Sequence, residues 1–394
     1  MDYNRKAILL HKKLLGKIFI SSKIPIRDKD ILSSVYTPGV GAVSLKIAKE
    51  KNLVWELTGR RNTIAIVTDG SAVLGLGNVG PEAALPVMEG KAALFSEFGG
   101  VNAYPLCVKV SSPDEVVNLI RAITPTVGGI NLEDIKAPEC FEIEQKLADL
   151  GIPVFHDDQD GTAIVVTAAL INAAKVTGKA LRKLRVVIMG AGAAGSATTW
   201  FLVGREKWNA QKKMNSFFDL PQDIILVDSS GIINERRADL SVWKKMLASV
   251  TNKEKRSGGI EQALQGADVM IGLSSKGKLT PKLLSLMNKN PIVFALSNPI
   301  PEIMPNLAYK SGAMLVATGR SDFPNQVNNA LVFPGFFRGL LDSRATQVTS
   351  SVKIVAVKAL IDSVNPTKNK IMPSVLEKKV HMRLAQAVKK EASR

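Results

Sequence analysis

The chain has 394 residues, 46% of them apolar and 5% aromatic, with 52 Lys and Arg against 35 Asp and Glu and a formal net charge of +17. At about 150 residues per domain, that length suits roughly two domains, and the apolar content is ample for buried cores, which excludes a disordered chain. Only Cys107 and Cys140 are present, too few for a disulfide framework and without zinc-ligand spacing, so two packing residues in a reducing compartment are expected.

Met1-Asp2-Tyr3-Asn4 lacks a signal pattern, and no run reaches the ~18 apolar residues of a spanning helix. A cytoplasmic protein without a membrane partner is expected. The basic residues concentrate locally, at 5–17, 175–185, 244–256 and 378–394, but few aromatics are interleaved with them. That argues against a stacking platform for nucleic acid and for solvated helical faces.

Taken in chain order, the first part runs over residues 1–155. It shows strand-like runs at 63–67 and 103–110, helical stretches at 81–98 and 113–123, and a Gly-rich turn at 74–80. Two acidic pairs, Glu133-Asp134 and Asp157-Asp158, lie twenty-four residues apart, each at the end of an apolar run. Adjacent carboxylates repel unless a cation sits between them, and oxygen ligands suit a hard divalent ion, Mg²⁺ or Mn²⁺. Helix N-caps or solvated turns are the competing reading for either pair taken singly.

The second part, 156–345, alternates short apolar strands with helices, at 186–189, 224–227, 269–272, 292–296 and 314–317. This alternation predicts an α/β protein with a doubly wound parallel sheet. The first of these strands enters Gly190-Ala191-Gly192-Ala193-Ala194-Gly195, and the helix-competent residues 196–203 follow. A GxGxxG in that context fits a dinucleotide: Gly190 for the tight turn, Gly192 for approach of a pyrophosphate, Gly195 for helix-to-strand packing. The next strand ends at Asp228, suited to a ribose 2′-hydroxyl, so NAD is favoured over NADP. Its distance from Gly190 exceeds the usual ~20 residues by a Lys-rich insertion at 205–221, and Arg236 and Arg237 remain candidates for a 2′-phosphate.

Later strand ends carry Ser274-Ser275, Ser297-Asn298-Pro299 and residues 318–322, where such a sheet places its ligand crevice. Asn298, Asn328 and Asn329 suit a carboxamide, carboxylate or hydroxyl, although each taken alone reads as a turn residue. The tail, 346–394, reads as amphipathic helices at 348–363 and 373–393 that pack back on the N-terminal domain or on a partner subunit.

These residues resemble one family along most of the chain, the malic enzymes of the short bacterial type. The resemblance rests on Tyr36-Thr37-Pro38-Gly39-Val40-Gly41, on Thr68-Asp69-Gly70-Ser71 with residues 74–81, and on Met88-Glu89-Gly90-Lys91. It continues through residues 129–135, His156-Asp157-Asp158-Gln159, the Gly-rich turn, and residues 295–302 and 318–329.

It implies an N-terminal malic-type domain and a Rossmann-like NAD(P)-binding domain, oxidative decarboxylation of (S)-malate to pyruvate and CO₂, and a homodimer. A metal on Glu133, Asp134 and Asp158 would bind the C2 oxygen and C1 carboxylate of a 2-hydroxy acid. Lys91 is then the expected base for the C2 hydroxyl, with its pKa lowered by desolvation and the cation and with Asp157 as hydrogen-bond partner. Tyr36 would donate the proton at C3. Lys91, Asn298, Asn328 and Asn329 are the expected substrate contacts; Gly190 to Gly195, Asp228 and Asn298 are those of the cofactor.

Two departures carry expectations of their own. Asp160 stands where short members usually have His, and a further acid is expected to raise the neighbouring carboxylate pKa values or alter metal affinity. Residues 74–81 lack the arginine with which larger members bind carboxylate, leaving Arg320 or a lysine across a subunit contact. Competing readings are another metal-dependent 2-hydroxy-acid oxidoreductase, a malolactic-type lyase retaining NAD, and a silent basic nucleotide- or nucleic-acid-binding protein on the same fold.

Overall fold

Four apolar runs build the first sheet: β1 Thr63–Thr68, β2 Asn102–Cys107, β3 Gly129–Leu132 and β4 Val154–His156, all parallel in the order β2-β1-β3-β4. The computed structural model describes residues 3–274 and 277–394, so Ser275 of the Ser274-Ser275 pair lies outside the described residues. β1 and β3 are buried along their whole length, as expected of parallel strands covered on both faces. β2 ends at Cys107, short of the expected 110. Pro105 is accommodated there because β2 is an edge strand, where a missing N–H breaks no ladder.

The second sheet begins with β5 Arg185–Met189. The expected insertion follows it as a small antiparallel hairpin, β6 Arg205–Glu206 and β7 Asn209–Lys213. Then come β8 Asp223–Asp228, β9 Gly231–Ile232, β10 Val269–Gly272, β11 Ile292–Ala295 and β12 Leu315–Thr318, in the order β12-β11-β10-β5-β8-β9. All pairings are parallel except that of β9 with β8. This is the doubly wound α/β sheet with helices on its faces.

The two sheets are joined by helices that the strand pattern did not announce. Phe333–Asp342 follows the Asn328-Asn329 segment and packs on Pro81–Gly99, with the Phe333 and Phe95 ring centroids 4.7 Å apart and those of Phe336 and Phe155 4.6 Å apart. All four rings are fully buried, and each such side chain stabilises by about 2–3 kcal/mol on burial. The tail forms Ser350–Ile361 and Lys378–Ala392, and the latter packs against Phe333–Asp342 and Pro81–Gly99.

No residue from Tyr3 to Asn62 is buried. Within this arm the segment Lys29–Lys49 reaches a mean hydropathy of 1.2, more apolar than the sequence reading allowed. It is nevertheless divided into helices Lys29–Val35 and Val40–Lys49 by Tyr36-Thr37-Pro38-Gly39, and each piece is shorter than the ~20 residues of a spanning helix.

Candidate active site

The parallel register of the first sheet decides where the two acidic pairs go. Leu132 of β3 lies opposite His156 of β4, so Glu133-Asp134 and Asp157-Asp158 leave adjacent strands side by side at their carboxyl ends. One carboxylate oxygen each from Glu133, Asp134 and Asp158 falls within 4.8 Å of the others. The Asp134 backbone N–H donates to Asp158 Oδ2 at 2.7 Å. Burial, together with the charge of Glu133, pushes the Asp158 carboxyl up to about 7, and Lys91 offsets only part of this. Three hard oxygen donors this close together could hold a divalent cation.

Lys91 comes from the middle of Pro81–Gly99 and is only 7% exposed. Its Nζ lies 2.7 Å from Glu133 Oε2, pairs with Asp157 Oδ2, and sits 4.0 Å from the centroid of the Phe333 ring. Its titration differs from the sequence expectation of a lowered pKa. Burial does push the ammonium down, but the Asp157 and Glu133 carboxylates outweigh it and hold Lys91 above its ordinary range. His156 is fully buried, its Nδ1 3.8 Å from Asp158 Oδ2, too long for a hydrogen bond. Burial and then the charge of Lys207 lower its pKa to about 3, which makes it a neutral imidazole.

Asp160 does not meet the first part of its expectation, a rise in the neighbouring carboxylate pKa values. Its charge is neutralised locally rather than turned on Glu133, Asp134 and Asp158, because Lys207 Nζ lies 3.0 Å from its Oδ1 and Lys353 Nζ 2.8 Å from its Oδ2. Burial would raise the Asp160 carboxyl, but these two ammonium groups reverse the direction and hold it at about 2. Lys207 also pairs with Glu144 at 2.5 Å. Neither lysine was a candidate in the sequence: Lys207 sits in the hairpin insertion and Lys353 in the tail, and no motif links them to residue 160.

Glu133, Asp134, Asp158 and Lys91 line a cleft of about 660 Å³ whose other wall brings Asn298, Asn328, Asn329 and Phe333 from the second part of the chain. That volume is within the usual range for a small-molecule site. Asn328 uses part of its amide locally, accepting from Ala330 N at 2.9 Å and donating to Gly319 O at 3.2 Å. Glu302, fully buried, ties two strand-end loops together. It accepts from Ser274 N (3.2 Å), Ser297 N (3.1 Å) and Ser297 Oγ (2.6 Å). Sequence reading quoted Glu302 within a motif and gave it no role.

Three sequence candidates do not line this cleft: Asp157, fully buried against Lys91, and Arg320 and Tyr36. Arg320 is bound to Asp322 by hydrogen bonds of 2.8 and 2.6 Å and to Pro299 O at 3.1 Å. Tyr36 is 65% exposed on the N-terminal arm, and the residues lining the cleft begin at Ala72.

A second cleft, of about 580 Å³, opens over the Gly-rich turn and is lined by Gly190, Ala191, Gly192, Asp228 and Lys244, sharing Ser274 with the first. Gly190 has φ +116°, and a Cβ there would lie 2.3 Å from Leu273 O; one on Gly195 would lie 1.7 Å from Gly190 O. Gly192 faces open space, as a pyrophosphate cradle requires. The helix Ala193–Leu202 starts there, and Ala194 lines the first cleft. Asp228 holds Arg237 through 2.8 and 3.2 Å hydrogen bonds and Lys244 through one of 2.5 Å. Arg236 is not among the residues lining either cleft.

With this geometry in place, the likeness to known proteins can be set beside it. The family described as "Malic enzyme, NAD binding domain" matches residues 159–393, and "Malic enzyme, N-terminal domain" matches residues 16–113 and 108–148. The chain belongs to the malic enzyme family. It is 45% identical to the bifunctional malic/malolactic enzyme of Bacillus subtilis, over all of this chain and 93% of that one. With the NAD-dependent malic enzyme of Geobacillus stearothermophilus it shares 46%, over all of this chain and 80% of that one. The crystal structure of the NAD-dependent malic enzyme of Thermotoga maritima superposes with a TM-score of 0.90 at 43% identity, covering 97% of this chain and 98% of that one. The α/β architecture and the nicotinamide-cofactor domain expected from the sequence are those of this malic enzyme.

Proposed function

We infer that the protein oxidatively decarboxylates (S)-malate to pyruvate and CO₂ while reducing NAD or NADP. The observation that carries this reading is the meeting of Lys91, the carboxylates of Glu133, Asp134 and Asp158, and three asparagines in one cleft that adjoins the GxGxxG turn. A bound nicotinamide supplies the hydride acceptor, and a bound Mg²⁺ or Mn²⁺ on Glu133, Asp134 and Asp158 supplies Lewis-acid charge beside the reacting oxygens.

The chain's own residues then have to move two protons. One leaves the C2 hydroxyl, and one arrives at C3 after CO₂ departs, so the overall reaction neither consumes nor releases a proton. Lys91 Nζ, hydrogen-bonded to Asp157, is the base for the first transfer. Its raised pKa belongs to a state in which Glu133 and Asp157 both hold the ammonium; Lys91 would act as a base once Glu133 is engaged as a metal ligand and only Asp157 still holds it. Tyr36 is the acid for the second.

NAD is favoured because Asp228 places a carboxylate where a 2′-phosphate would sit. The malic-type domain is taken as residues 1–155, the cofactor domain as 156–345 and the helical tail as 346–394, with a homodimer in the cytoplasm as the working form. The free thiols of Cys107 and Cys140 suit that compartment.

Absorbance at 340 nm with (S)-malate and Mn²⁺, run in parallel with NAD and NADP and with pyruvate assayed, tests the reading. Metal-dependent reduction that yields pyruvate is expected, and Lys91→Ala is expected to remove ~10²-fold or more of it while NADH binding persists. No reduction with either cofactor would overturn the assignment.

A further inference from the structure

Basic residues from the 205–221 insertion, from the turn after β9 and from the 244–256 stretch meet around one cavity of about 480 Å³ at the start of β8, a volume suited to a small molecule. Arg205, Arg236, Lys253 and Lys255 line it, opposed only by Asp223 and Glu235. Asp223 is engaged locally, its Oδ1 accepting from Ile224 N at 2.8 Å and from Lys253 N at 3.0 Å. Among the described residues, the Arg236 guanidinium and the Lys255 ammonium have no hydrogen-bond or ion-pair partner; only the backbone N–H of Arg236 is engaged, on Asn234 Oδ1 at 3.0 Å. Arg236 thus lines a cavity of its own rather than the place expected for a 2′-phosphate.

The loop that carries the two lysines sorts its charges. Glu254, between them, does not line the cavity and pairs instead with Arg185 and Arg256. Buried Asn252 clamps the loop, its Oδ1 accepting from Arg256 N at 2.9 Å and its Nδ2 donating to Arg256 O at 2.8 Å. Asn252 and Lys255 both hold φ +53°, a left-handed conformation that a lysine seldom adopts. Four cations held around one cavity repel one another, and an anion between them relieves that repulsion.

We propose that this cavity binds a small molecule carrying two or more phosphates on an apolar or aromatic body, while the dinucleotide occupies its own cleft. Guanidinium forks and ammonium point charges both match phosphate oxygens, and four cations against two carboxylates call for more than one negative charge. Leu220, Pro221 and Val250 supply an apolar wall for the rest of the ligand. The two sites are separate. Asp223 begins β8 in this cavity and Asp228 ends it in the dinucleotide cleft, about 17 Å apart at the rise of a strand, and no residue lines both.

The test is isothermal titration calorimetry on the full chain in EDTA, already saturated with whichever of NADH and NADPH binds more tightly, so that an added nucleotide cannot enter the dinucleotide cleft. The probes are inorganic tripolyphosphate and ATP, and one site per chain is expected for each. Tighter binding of ATP assigns the apolar wall to the base, and equal binding assigns the site to the phosphate chain alone. The Lys253→Glu, Lys255→Glu double variant is expected to bind both probes at least ~10-fold more weakly, and Arg236→Ala, made separately, several-fold more weakly.

A Lys389→Glu, Lys390→Glu variant controls for the overall positive charge, because it changes the net charge equally at two exposed positions of the tail. It is expected to bind both probes as wild type does. Binding weakened equally in this control would reduce the effect to the general field of a basic chain and overturn the proposal. So would the absence of binding by either probe to the cofactor-saturated protein, or unchanged affinity in both the lysine double variant and Arg236→Ala. Since Arg236, Lys253 and Lys255 are all exposed, the two sets of variants give independent readings if either one fails to fold.

Discussion

Lys353 Nζ, in the C-terminal tail, lies 2.8 Å from Asp160 Oδ2, two residues beyond Asp158, a candidate metal ligand. The same Asp160 meets Lys207 from the β6–β7 hairpin. A tail helix, an insertion and the turn that carries Asp158 are therefore tied at one buried carboxylate. Removing one partner of a buried ion pair strands the others and costs about 3–5 kcal/mol. Asp160→Ala is thus expected to lower the thermal unfolding midpoint by several degrees, and Lys353→Met by less, because Lys207 still compensates Asp160. An Asp160→Ala midpoint equal to that of wild type would show that this network does not stabilise the fold.

Asp158 is pushed up to about 7 by burial and by Glu133, so without a cation the three carboxylates strain against one another. Asp158→Asn is expected to leave stability in EDTA unchanged or slightly higher. The same variant should forfeit the stabilisation that wild type gains from Mn²⁺, about 2.7 kcal/mol at a hundredfold excess over the dissociation constant. Paired melts with EDTA and with Mn²⁺ measure both. An equal Mn²⁺ gain in the two proteins would remove Asp158 from the ligand set.

Asp228 is held between Arg237 and Lys244. Neutralising it as Asp228→Asn leaves those two cations beside the expected ribose position. The ratio of kcat/KM for NADP over NAD should then rise about tenfold or more, or by about 1.4 kcal/mol in relative transition-state binding. Steady-state kinetics with both cofactors decide it, and an unchanged ratio would mean that cofactor choice is made elsewhere.

Glu302 accepts three hydrogen bonds from the loops after β10 and β11. A Cβ on Gly272 would fall 2.4 Å from its carboxyl carbon, so the pocket for this side chain is built around it. Glu302→Ala is expected to raise KM for the dinucleotide several-fold, with a smaller effect on kcat, since Ser274 lines both clefts. An effect confined to kcat would instead place Glu302 in the chemistry.

The local pattern carried far in this chain. Strand runs at 186–189, 224–227 and 269–272 are the centre of the second sheet, because buried parallel strands must be continuously apolar and glycine turns must follow them. The acidic pairs were also legible, since like charges at the ends of two apolar runs demand a reason. The helix Phe333–Asp342 was missed because Pro334, Gly335 and Gly339 lower its intrinsic helix propensity, and it is packing on Pro81–Gly99 that holds it.

By itself the sequence determined the α/β class, the GxGxxG turn and the set of acids, since each follows from periodicity, backbone freedom or charge within a few residues. Only the tertiary structure decided which charges neutralise which. Lys207 and Lys353 reach Asp160 from 47 and 193 residues away, two carboxylates rather than solvent set the protonation of Lys91, and Tyr36 lies outside its own cleft. Coulomb interactions and burial depend on distance in space, and no local pattern records distance between segments that meet only on folding.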